Sequence, residues 1–131
     1  MAFPYFILPS FKYSITHKPQ FSEGEVIVTI FRSRLRREHE NEYRTWSERM
    51  NALVRTIPGF VSIKTFHADD GERVSIVEFE TKEAHDEWRR HPEHREAQRL
   101  GREKFYSEYR IQVLDNPRSH SYNSGEVTPG A

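Results

Sequence analysis

Between residues 25 and 114 the apolar positions recur in two rhythms that replace one another along the chain. Glu25 to Ser33 (EVIVTIFRS) is β-branched and aromatic, with Val26, Val28 and Ile30 on one alternating set and Ile27 and Phe31 on the other. Such a run predicts a strand covered on both faces. From about Arg37 to Ile57 the rhythm becomes helical: Tyr43, Trp46, Met50, Leu53, Val54 and Ile57 fall at spacings of three, four and seven, one stripe of an amphipathic helix. Pro58-Gly59 ends it, because Gly supplies a left-handed turn and Pro cannot continue a helix. Phe60 to His67 and Arg73 to Glu80 read as strands joined by Ala68-Asp69-Asp70-Gly71, an antiparallel hairpin. Thr81 is placed to N-cap a second helix. That helix should stop near Arg90, kink at His91-Pro92 and resume from Pro92 to about Lys104, since Pro is tolerated at a helix start but not inside. On the second piece His94, Ala97, Gln98, Gly101 and Phe105 share a face, and the small Ala97 and Gly101 allow close approach to a sheet. Tyr109 to Leu114 is the last predicted strand.

The order is βαββαβ, an α+β arrangement of the ferredoxin-like type, with an antiparallel sheet and helices on one face. The strands carry apolar residues on both sides, so the face without helices needs a cover. A second copy of the chain, packed about a two-fold axis, is the simplest one; the alternative is a monomer covered by its own N-terminal arm. Residues 1–23 form that arm, irregular and rich in aromatics (Phe3, Tyr5, Phe6, Phe11, Tyr13) between Pro4, Pro9 and Pro19. Residues 24–114 form the domain, and residues 115–131 read as a polar, flexible tail.

Composition narrows the function classes. The chain has 131 residues, which suits one domain. Lys+Arg and Asp+Glu both number 20, so no basic excess points to nucleic acid. Arg89, Arg90, Arg95, Arg99 and Arg102 do cluster, but Glu93, Glu96 and Glu103 interleave with them, as on a solvated helix face. There is no cysteine, which removes disulfides, thiolate chemistry and Cys-based metal sites. No stretch reaches the roughly 18 apolar residues of a membrane span. Met1 to Ser10 lacks the basic start of a signal peptide. A cytoplasmic protein without a membrane or nucleic-acid partner is expected.

Several segments resemble the antibiotic biosynthesis monooxygenase (ABM) domain of the dimeric α+β barrel superfamily, over roughly Val26 to Val113. They are Pro58-Gly59-Phe60, Val77-Glu78-Phe79-Glu80-Thr81, Glu83-Ala84-His85-Asp86-Glu87-Trp88, His91-Pro92-Glu93-His94 and Gly101-Arg102-Glu103-Lys104-Phe105-Tyr106. The resemblance implies a homodimer and a pocket between sheet and helices. It implies oxidation of an electron-rich, aromatic small molecule without a dedicated redox cofactor. In such chemistry the deprotonated substrate gives an electron to oxygen, and the protein supplies a dry pocket, a base and donors that hold the anion. The family also holds haem-degrading members and proteins without assigned activity, so a non-catalytic ligand- or haem-binding protein is the alternative. A third reading makes the chain an interaction module whose aromatic arm docks a partner.

Of the residues placed to carry chemistry, Trp88 matches the helix-two Trp of the resemblance and could donate its indole N–H; its plainer role is a core anchor. His94 is the candidate base, because an unperturbed imidazole titrates near neutrality. Arg32 is the candidate anion holder, or else a partner for a carboxylate. Phe31, Trp46, His67, His91, Gln98, Phe105 and Tyr109 are the expected substrate-facing residues, with His91 also suited to an N-cap or loop and His67 to a solvated strand end. Tyr43, Met50, Leu53 and Ile57 are expected in the core. The haem-degrading branch places its iron-binding His about ten positions after the helix-two Trp, where this chain has Gln98, and an Asn late in strand one, where it has Ile30-Phe31-Arg32-Ser33. Both departures count against haem degradation, while His94 stays open as another axial ligand. His91, Glu93 and His94 offer metal-ligating groups, but no further ligand is evident and no metal is expected.

Overall fold

The computed structural model describes residues 26–126; the aromatic N-terminal arm lies outside them. Four strands and three α-helices follow the expected order. They are β1 (Ile27–Leu35), α1 (Glu40–Val54, entered through a 3-10 turn at Arg37–His39), β2 (Phe60–His67), β3 (Arg73–Phe79), α2 (Lys82–Arg90), α3 (Pro92–Leu100) and β4 (Tyr106–Asp115). The sheet is antiparallel throughout, in the order β2-β3-β1-β4. This is the ferredoxin-like α+β arrangement that the order of elements predicts.

The core lies between the sheet and the helices. Val77 and Phe79 of β3 pack against Val54 and Ile57 at the end of α1 and against Ala84 and Trp88 of α2. Strand alternation then assigns the faces. Ile27, Thr29, Phe31 and Ser33 of β1 look toward the helices, opposite Phe79, Val77, Ser75 and Arg73. Val28, Ile30 and Arg32 look the other way, as do their partners Glu78, Ile76 and Val74.

Local chemistry fixes the joints. The left-handed φ of +93° at Gly59 closes α1, and a β-carbon there would lie 2.7 Å from Cβ of Ala84. The loop therefore rests directly on α2. Thr81 Oγ1 accepts from the backbone N–H of Ala84 at 3.0 Å, the expected N-cap. Pro92 stands at the start of α3, and His91 Nδ1 accepts from Glu93 N–H at 3.2 Å. The predicted helix from Pro92 to Lys104 ends sooner, at Leu100, and the chain widens into a π-helical turn at Gly101–Phe105 before β4.

β4 starts three residues earlier than predicted and carries a β-bulge. Ser33 pairs with Tyr109 and Arg34 with Glu108, but Leu35 pairs with Tyr106. The extra residue turns Tyr106 onto the same face as Tyr109. Simple alternation would have sent Tyr106 to the opposite side. Residues 117–126 have no regular secondary structure.

Candidate functional site

A cavity of about 450 Å³ lies on the helix-covered side of the sheet, within the usual range for small-molecule sites. β3 runs along its floor from Arg73 to Phe79, roughly 20 Å at about 3.3 Å per residue. The walls are largely aromatic: Phe31, Tyr43, Trp46, Phe79, Trp88, Phe105, Tyr106 and Tyr109.

One pole is built by the α2–α3 kink. The His94 ring stacks on the Trp88 indole, with centroids 3.9 Å apart and planes 15° from parallel. His94 Nδ1 lies 3.0 Å from the Trp88 carbonyl oxygen and 3.2 Å from Gln98 Nε2. Gln98 Nε2 also donates to the Arg89 carbonyl at 3.2 Å. A carbonyl can only accept, so the Trp88 contact requires a proton on Nδ1. That leaves Nε2 as the lone-pair nitrogen, with no hydrogen bond among the described residues. Burial drives the His94 pKa down to about 4, and the nearby His91 and His85 push the same way against the Trp88 carbonyl. The neutral imidazole is thus the resting form, and titration near neutrality, the sequence-based reason for choosing this residue, does not hold in the folded chain. His85, packed edge-on to Phe79 at 5.8 Å, also lines this region; burial lowers its pKa, opposed by Asp86.

The other pole centres on Arg73, the first residue of β3. It donates to the Tyr43 hydroxyl and to His67 Nε2, the latter at 3.2 Å, and its guanidinium lies 5.0 Å from the Tyr43 ring centroid. Tyr43 packs edge-on to Phe105 and Tyr106, at 5.6 and 5.9 Å. Burial pushes the Tyr106 phenol upward, as does neighbouring Tyr43, with Arg73 opposing. Between the poles, Thr65 and Ser75 share a hydrogen bond of 2.7 Å, and Thr29 Oγ1 is buried without a protein partner.

The expected site residues separate accordingly. Trp88, His94, Gln98, Phe31, Trp46, Phe105 and Tyr109 all line the cavity. Arg32 does not. It stands on the opposite face of β1 and forms a two-pronged ion pair with Glu72, at 2.8 and 3.0 Å. Alternation already forbids neighbours Phe31 and Arg32 from sharing a face. His67, paired with Arg73 across the hairpin, lines an adjoining hollow with Leu35, Glu40 and Arg44 rather than the cavity itself, and Tyr43 and Arg73 stand between the two. His91 is held as the α3 cap and is absent from the cavity wall. Trp88 takes its plainer expected role, packing in the core cluster with 9% exposure, and it also lines the cavity. Of the residues expected in the core, Tyr43 instead faces the cavity, while Met50 packs against the core cluster and lines the cavity as well.

Arg73, Tyr106 and His85 went unnoticed in the sequence. Arg73 was legible, since it shares alternation with Val77 and Phe79; Tyr106 was not, because the bulge has no clear sequence mark. Among the described residues no three His, Asp or Glu side chains gather as metal ligands: Glu93 reaches across to Arg49 instead, His91 caps α3 and His94 is held on Trp88.

This geometry defines an α+β protein with an aromatic-lined cavity between sheet and helices. The family model for antibiotic biosynthesis monooxygenase matches residues 26–100, and the chain belongs to that family. The uncharacterized protein YqjZ of Bacillus subtilis (strain 168) is 28% identical over 106 residues, covering 79% of this chain and 92% of that protein. Among solved structures, Rv0793 from Mycobacterium tuberculosis matches with a TM-score of 0.64 at 22% identity, over 73% of this chain and 99% of that one. An antibiotic biosynthesis monooxygenase matches with a TM-score of 0.60 at 14% identity, over 68% and 96%. At these identities the structural matches bear on the fold.

Proposed function

We propose that this chain is an oxygenase that converts an apolar, electron-rich aromatic molecule with the substrate itself as the electron source. The observation that carries the reading is the aromatic-walled cavity with a half-buried, neutral imidazole stacked at one end. A phenol-type substrate loses its hydroxyl proton, and the anion passes one electron to O2. The radical pair then combines at a ring carbon, and the resulting peroxide eliminates water to leave a quinone. One phenol and one O2 give one quinone and one water, so no outside reductant is needed.

His94 Nε2 is the acceptor for the substrate proton. Its low pKa describes the empty cavity. An anion formed beside it in a low-dielectric site favours the imidazolium and raises that pKa again. Trp88 and the Trp88 carbonyl act on the ring rather than on the substrate, fixing its plane and its tautomer.

Two copies are proposed to pair through the sheet face that the helices leave bare. Phe66, Ile76 and Leu114 are 47%, 39% and 37% exposed there, beside half-buried Val28, Ile30 and Val74. An apolar patch of this kind on an antiparallel sheet supports an isologous contact. Among the described residues no helix is long and apolar enough to cross a membrane.

Oxygen uptake by the purified protein, with a panel of naphthols and anthrones, a chelator present and hydrogen peroxide assayed alongside to exclude simple dehydrogenation, tests the activity. One O2 consumed per quinone formed is expected with at least one compound, and no uptake across the panel contradicts the proposal. Haem in the same preparation separates the alternative. A saturable Soret shift at one haem per chain would favour a haem protein, against the observation that Gln98, which stands where the haem-degrading branch has its iron-binding His, donates its amide to the Arg89 carbonyl.

A further inference from the structure

We infer that the Arg73 end of the cavity is an anion-recognition subsite, so that the ligand is an aromatic compound carrying an ionised acidic group. This rests on the reading of the cavity as a small-molecule site.

Arg73 lines the cavity, yet its partners are neutral: the Tyr43 hydroxyl, the Tyr43 ring face and His67 Nε2. Arg32, Arg34, Arg49 and Arg99 are all paired with carboxylates at 3.2 Å or less. Among the described residues no carboxylate stands within ion-pair distance of Arg73. A guanidinium has five N–H groups in a planar fork. Nε and Nη1 each use one, and Nη2 keeps both of its own.

Tyr43 and Tyr106 add hydroxyl donors at the same pole. Arg73 holds the Tyr43 oxygen, burial keeps the Tyr106 phenol protonated, and the two hydroxyls interact with each other, which leaves the pair one O–H proton for a further acceptor. A half-buried cation flanked by phenols, in no ion pair with a protein carboxylate among the described residues, suits a carboxylate on the ligand: planar forked donors match its two oxygens.

Position makes this a subsite rather than a second site. Arg73 lies four residues from Val77 on β3, roughly 13 Å at about 3.3 Å per residue, and Val77 packs in the cluster that holds Trp88. A bicyclic or tricyclic aromatic anchored by its acid at Arg73 would place its far ring near the Trp88–His94 pair.

Both tryptophans of the chain, Trp46 and Trp88, line the cavity, so quenching of their fluorescence reports occupancy. The full chain would be titrated with anthraquinone-2-carboxylate and with anthraquinone-2-carboxamide, a neutral compound of nearly the same shape. The acid should bind about tenfold to a hundredfold more tightly, the range for hydrogen bonds to a charged group. Arg73→Gln should bring the two probes to equal affinity, while Arg73→Lys keeps part of the preference. Equal affinity in the unaltered protein, or a preference that survives Arg73→Gln, overturns the anion subsite and leaves the cavity reading standing. Should Arg73→Gln fail to fold, the unaltered protein and Tyr43→Phe, which removes one donor, still decide the matter. If neither probe quenches, the cavity is not an aromatic-binding site and both readings fall.

Discussion

Trp88 shows how closely packing and chemistry are joined in this chain. Its indole belongs to the core cluster with Phe79, Val54 and Ala84, and its outer surface carries the His94 ring. Trp88→Ala should therefore cost about 3–5 kcal/mol, measured by chemical denaturation. Trp88→Phe, which keeps an aromatic surface, should cost less. His94 gives a pH signature. The folded pKa is near 4 and the reference value is 6.5, so the unfolded chain binds the proton more readily. Stability should fall as pH drops from about 6.5 to about 4, by on the order of 3 kcal/mol from this residue. Denaturation midpoints across that window should show a shallower slope in His94→Gln. Some slope will persist, since His85 is shifted in the same direction. An unchanged slope would remove His94 as its source. At this scale residue type was legible in the sequence and direction was less so. His94, Gln98 and Trp46 were found because helical spacing gives a face. Arg32 was misplaced because strand alternation was not carried through to the site, although it gives a face equally well.

The elements themselves were readable because each carries its own punctuation. Thr81 caps α2, Pro92 starts α3, and Gly59 closes α1. Thr81→Ala should cost about 1 kcal/mol, seen as a lower urea midpoint. Gly59→Ala should cost more than Thr81→Ala. It forces a side chain into a left-handed conformation and brings its β-carbon to 2.7 Å from that of Ala84, on a helix that cannot easily yield. The segment from Gly101 to Ser107 was not readable. Its π-helical turn and bulge have no local sequence signal, and they depend on how α3 meets β1 and β4. Gly101 itself was read as a close-approach residue, and a β-carbon there would sit 2.7 Å from Cε2 of Tyr106. The small residue leaves room for the ring that the bulge turns into the cavity.

For the whole molecule, order and alternation predicted the antiparallel α+β sheet and its bare second face. They could not predict the cavity's volume or its two poles. Those follow from Arg73, Tyr43 and Tyr106, which lie 30 to 63 positions apart in the chain and meet only after folding. If the bare face is the contact between two copies, Ile76→Asp should convert a dimer to a monomer in size exclusion with light scattering. A monomeric unaltered protein would contradict the pairing. The central claim is that oxygen chemistry occurs inside the cavity, and it is tested most directly by filling the cavity. Ala97 lines the wall beside His94 and Gln98, so Ala97→Phe places a ring where the substrate should sit. Oxygen consumption with the best aromatic substrate would be measured for both proteins, with thermal melting alongside. The account predicts that a folded Ala97→Phe variant loses the oxygen uptake. Uptake at the unaltered rate in a folded variant would place the chemistry elsewhere.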